Sequence, residues 1–153
     1  MPRTDGNLQN GTLWPALPQA EWSETCATLQ LWMQIVGKVR LALTPQINHT
    51  WNVTLCPTVC GLTTSPMPHG KQMLQIDFDF IDHALLLRTD GGAQRTVPLK
   101  PMTVAAFYGQ VMEALKELGT PVRIWPMPVE IANPIPFEKD ETHQAYEIGR
   151  AHV

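Results

Sequence analysis

From residue 73 to 81 the chain alternates: Leu74, Ile76, Phe78 and Phe80 hold one parity, and Gln75, Asp77 and Asp79 the other. A period of two marks a strand with one buried face and one wet face. Such a strand requires partners at its sides and a layer over its apolar face. Asp82-His83 reads as a tight turn into a strand over 84–89. Asp90-Gly91-Gly92 is a hairpin signal leading into a strand over 95–99.

The covering layer is visible on either side. From Gln19 the apolar spacing becomes three and four: Trp22, Cys26, Leu29, Met33, Val36 and Leu43 share one helical face. Trp32, Ile35, Val39 and Ala42 widen it, Gly37 lies inside it, and Pro45 ends it. Thr103 caps a second helix with the stripe Val104, Phe107, Val111, Leu115 and Leu118; Gly119 closes it, with Pro121 beyond. A strand over 51–59 carries Pro57, which confines it to an edge or a bulge, and an extended run over 122–131 is confined likewise by Pro126 and Pro128. Ser65-Pro-Met-Pro-His-Gly70 reads as a loop. The expected class is α+β: a largely antiparallel sheet of four to five strands with two main helices packed on one face.

The chain divides accordingly. Residues 1–18 read as an N-terminal arm and 19–132 as a single α+β domain. Residues 133–147 read as a proline-rich linker and the start of a truncated continuation, with Glu138, Asp140 and Glu141 opening a further helix. Residues 148–153, Ile-Gly-Arg-Ala-His-Val, match the translation of a widely used sequencing-library adapter and read as non-native read-through, which makes the chain a fragment. A fragment is expected to expose apolar surface, at the Trp125 edge and after Phe137.

Charge and cysteine usage narrow the function classes. Lys and Arg number 11 against 14 Asp and Glu, with no basic stripe, which argues against a nucleic-acid partner. No stretch reaches the roughly 20 apolar residues of a membrane span, and the first residues hold no secretory apolar core. Three cysteines are an odd count, favouring reduced thiols and a cytoplasmic location.

The residues that invite chemistry are few. Asp77 and Asp79 share a strand face about 6.5–7 Å apart, a spacing that suits a shared cation or an acid/base pair, with His83 at the nearby turn. A merely polar sheet face gives the same pattern. Lys38 and Arg40 interrupt an apolar helix: they snorkel to solvent, bind an anionic ligand, or neutralise Asp77 and Asp79, with Arg88 as the rival partner. His49 stands where a loop meets a strand. Cys56 and Cys60 lie four apart on one strand parity, a poor spacing for zinc even with His49 and His69, so no metal site is assigned. No nucleophile elbow, phosphate loop or dinucleotide fingerprint occurs.

Several stretches together resemble a known family. They are Trp14-Pro-Ala-Leu-Pro18, Thr28-Leu-Gln-Leu-Trp32, Gln34 through Pro45, Gly61-Leu-Thr-Thr-Ser-Pro66 and Ile76-Asp-Phe-Asp-Phe-Ile-Asp-His83. Val122-Arg-Ile-Trp125, Met127-Pro-Val-Glu130 and Pro134-Ile-Pro-Phe137 complete the set. The family is an uncharacterised bacterial one, domain of unknown function 5996. The resemblance implies a protein running past this chain's end, so that its own absent C-terminal half is an expected partner. It carries over no catalytic residue and no cofactor. It also implies bulky residues around Asn52, Cys56 and Cys60, which weakens any metal role for the two thiols. Two readings follow: a ligand-binding or interaction module without catalysis, for a small molecule or a protein, or a metal- or acid/base-dependent enzyme using Asp77 and Asp79.

Overall fold

In a computed structural model, which describes residues 18–46, 49 and 53–147, the first helix, α1 (Gln19–Leu43), runs into Thr44, whose backbone turns extended ahead of Pro45. Its buried side is Thr28, Leu29, Leu31, Trp32, Ile35, Val36 and Val39, centred as the apolar spacing requires, while Ala42 is exposed.

Six strands follow: β1 (Cys56–Pro57), β2 (Gly61–Thr63), β3 (Met67–His69), β4 (Gln72–Asp79), β5 (Ala84–Thr89) and β6 (Gln94–Pro98). All pairs are antiparallel, in the order β1-β2-β4-β5-β6, with β3 beside the first half of β4. The alternation in β4 holds: Leu74, Ile76 and Phe78 are buried, while Gln75, Asp77 and Asp79 face the other way. Gly92 takes φ 84° in the Asp90-Gly-Gly turn, where a left-handed backbone favours glycine.

Between α1 and β4, two stretches depart from expectation. The strand over 51–59 is broken; 51 and 52 lie outside the described residues, and 58–61 form a turn. The Thr58 hydroxyl there accepts the N–H groups of Cys60 and Gly61 (3.2 and 3.0 Å). The expected loop at 65–70 contains β3. Its prolines are tolerable because β3 is an edge strand, and Thr64 joins it to β2. The Thr64 N–H donates to Ile76 O (2.9 Å) and its hydroxyl accepts from Ile76 N (3.0 Å), so a side chain completes the ladder. Gly61 is required by close approach: a Cβ there would lie 2.1 Å from the Phe78 carbonyl oxygen.

The second helix, α2 (Val104–Glu117), begins at Thr103, whose hydroxyl accepts from Ala106 N (3.1 Å). It ends in a Schellman closure: Gly119 N donates to Lys116 O and Thr120 N to Leu115 O. Both helices pack on the apolar face of the sheet, in one cluster with Ile35, Trp32, Phe107, Leu85 and Leu87. The fold is thus α+β, two helices on one face of an antiparallel sheet.

Residues 121–136 form no strand, correcting the expected edge strand. Prolines remove ladder donors, and the Gln34 amide takes the place of a partner strand. It donates to Val129 O and accepts from Val129 N, both at 2.9 Å. Residues 133–147, expected as linker, run back over the core. After a 3-10 turn (Phe137–Lys139), Phe137, Asp140 and Tyr146 are buried. No longer helix forms over Glu138–Glu141, because the Asp140 carboxylate accepts the N–H groups of Thr142 and His143 (3.0 and 3.1 Å). The carbonyls of Asp140 and His143 take the first N–H groups of α2, those of Ala105 and Val104. Tyr146 then stacks on Trp32 (5.6 Å), which stacks on Phe107 (4.6 Å).

Candidate functional site

The polar sheet face carries the aspartates, and among the described residues both are held by hydrogen bonds from their own sheet and turns. Asp77 accepts from the Thr63 hydroxyl, from the Gln75 amide at both oxygens (3.0 Å), and from Arg88 Nη2 (2.8 Å). Arg88 stands opposite Gln75 in register, one diagonal from Asp77. It supplies the cation expected of Lys38 or Arg40, because α1 covers the opposite face of the sheet. Asp79 Oδ1 accepts the N–H groups of Ile81 and Asp82, both at 2.9 Å, and so holds the turn into β5. The hollow over this face measures ≈ 250 Å³.

The other candidates are dispersed. The His83 ring bonds the Tyr146 hydroxyl through Nδ1 (2.6 Å). His69 bonds the Pro121 carbonyl oxygen (2.9 Å), tying β3 to the exit of α2. His49 is exposed with φ 59°. Cys56 begins β1 and Cys60 lies within the 58–61 turn, so the two do not share one strand, and all three thiols are free. Among the described residues no group of three or more His, Cys, Asp or Glu could hold a metal ion.

Lys38 stands differently. On the second half of α1, spacings of three and four bring Met33, Gly37, Lys38 and Leu41 to one groove. Val53, Leu55, Leu62 and Glu130 also line this open groove, whose volume is ≈ 840 Å³. Lys38 Nζ lies 4.8 Å above the ring of Trp125, which is 64 % exposed. Partial desolvation pulls the Lys38 ammonium below its usual pKa. Among the described residues no carboxylate forms an ion pair with it. Arg40, two positions on, donates from Nη1 to the carbonyl of Thr54, a groove residue, and its buried Nε has no partner among the described residues. Lys38 therefore lines the groove, Arg40 bonds one of its residues, and neither sheet aspartate belongs to it. Trp125 and the Gln34–Val129 bracket were not legible as site residues. The sequence signals were the exposed apolar edge expected at Trp125 and the i,i+4 spacing of Gln34 and Lys38 on α1.

Trp125 and Val129 are exposed, whereas among the described residues after Phe137 the aromatic Tyr146 is buried. Among the described residues no helix is long and apolar enough to cross a membrane.

The fold and groove define a two-helix, antiparallel-sheet α+β protein with one partly desolvated cation beside an apolar cleft. The chain belongs to a family of unknown function (DUF5996), whose sequence model matches residues 14–153. No curated protein matches it, and no solved structure does.

Proposed function

We propose that this chain is a ligand-binding module of the bacterial cytoplasm whose site is the α1 groove, and that it takes a small molecule with an apolar body and one carboxylate. The observation that carries this reading is Lys38: an ammonium already partly stripped of water, resting on Trp125, with no carboxylate in ion-pair contact among the described residues. An incoming carboxylate supplies the missing counter-charge, while Met33, Leu41, Val53 and Leu55 receive the apolar body. The volume falls in the usual range for small-molecule sites, and the net charge of -3 fits a local cation better than a nucleic-acid surface. Three unbridged thiols support a reducing compartment.

The enzyme reading, with Asp77 and Asp79 as a metal or acid/base pair, has in its favour only the hollow above them. Both carboxylates already hold protein donors, so this reading is the weaker one.

The test is thermal unfolding with decanoate and with decanol. Decanoate raises the midpoint because it binds only the native state; decanol does not, and Lys38→Met abolishes the decanoate shift. Equal shifts from acid and alcohol, or an unchanged shift in the variant, would remove the carboxylate from the proposal.

A further inference from the structure

At the other end of α1 lies a second cavity, ≈ 480 Å³, between the first turns of the helix and the loop after the 3-10 turn. Its walls include Ser23, Glu24, Ala27, Thr142 and His143. The loop is held from three directions. The Asp140 and His143 carbonyls accept from the start of α2 (both 3.0 Å), Tyr146 is buried against Trp32, and Glu147 N donates to the Thr25 hydroxyl (3.2 Å).

Within this loop Asp140 is 1 % exposed. One carboxylate oxygen is occupied by two backbone N–H groups, and the other meets His143 Nδ1 at 2.8 Å. A carboxylate can only accept, so Nδ1 carries the hydrogen and the neutral ring has its lone pair on Nε2. The His143 side chain is 33 % exposed and lines the cavity. A buried carboxylate that fixes the tautomer of a partly exposed imidazole is the arrangement by which a general base is oriented.

We propose that Asp140 and His143 form an acid/base dyad, with His143 as the catalytic base, Asp140 as its positioning residue, and small acyl esters as the substrate class. Water is the co-substrate. His143 Nε2 takes a proton from water as the water oxygen bonds to the acyl carbon. The bond from that carbon to the alkoxy oxygen then breaks, and the imidazolium returns the proton to the departing alkoxide. An acid and an alcohol result, and the histidine is neutral again. The inference is independent of the Lys38 groove, which lies on the second half of α1.

4-Nitrophenyl acetate is the probe. The wild-type chain is expected to hydrolyse it with saturation, and His143→Gln to lower the rate by roughly a hundredfold or more. That variant leaves the Asp140 bonds to backbone intact, so it folds, as circular dichroism will verify. Ala27→Phe, which fills the cavity and spares the dyad, should abolish saturation. Asp140→Asn should shift the pH–rate profile and change the imidazole 15N signals from the Nδ1–H tautomer, effects that a packing role would not produce. Among the described residues, Glu24 on α1 and Asp140 are the ionisable groups lining or touching the imidazole's site, and Glu24→Gln should move the profile less than Asp140→Asn. A rate unchanged in His143→Gln, or 15N signals showing Nε2–H in the wild type, would overturn the proposal.

Discussion

The polar sheet face and the α1 groove each carry charge, but they treat it in opposite ways. On the sheet, Asp77 has four hydrogen bonds, one of them the ion pair with Arg88, and Asp79 is held by two backbone N–H groups. In the groove, Lys38 is partly desolvated and touches an aromatic face instead of a carboxylate. Charges satisfied inside the protein stabilise it and leave nothing over for a ligand. A charge held short of its partner costs stability and is available to one.

The largest effect should come from dismantling the sheet side. Gly61→Ala drives a Cβ into the Phe78 carbonyl and is expected to destabilise by about 3 kcal/mol, read by denaturant unfolding. Loss of the Thr63–Asp77 contact should accompany it, with decanoate binding reduced only in proportion to the unfolded fraction.

Lys38→Met sharpens the comparison from the other side. Decanoate affinity should fall at least about tenfold, or about 1.4 kcal/mol, by calorimetry, with no loss of stability. The pH dependence has a definite sign. Desolvation lowers the Lys38 pKa in the folded state, so just below the ordinary lysine value the folded chain binds fewer protons than the unfolded one. Stability therefore rises with pH through that window, and the variant should lose the rise.

Tyr146→Phe tests whether the core between the two regions is indifferent to both. Loss of the hydroxyl bond to His83 should cost about 1 kcal/mol. Burial raises the Tyr146 pKa, so its contribution is present below about pH 10 and fades as the pH rises through the folded value. The variant should lack this alkaline component.

Arg88→Met should have the smallest effect, about 0.5 kcal/mol, since the arginine is half exposed. The loss should shrink in high salt and leave decanoate binding unchanged. A large change in affinity would erase the distinction between the two regions.

What was legible follows from locality. The 73–81 alternation, the Thr103 cap and the Gly119 closure each depend on a few adjacent residues, and each stands in the structure. β3 was hidden because Pro66 and Pro68 argue against a strand, and the Thr64 hydroxyl that completes its ladder is a tertiary fact. Residues 133–147 read as linker because Phe137 and Tyr146 follow no period, although both reach the core. Asp77 and Lys38 were both visible as candidates. Which of them had a partner depended on strand register and on the face that α1 covers.

The seal on the start of α2 has a consequence for how the chain is made. The carbonyls of Asp140 and His143 that receive its first N–H groups are synthesised well after the helix itself. During synthesis the first turn of α2 must stay open to water while the rest of the sheet layer assembles, so that end of the domain is completed last.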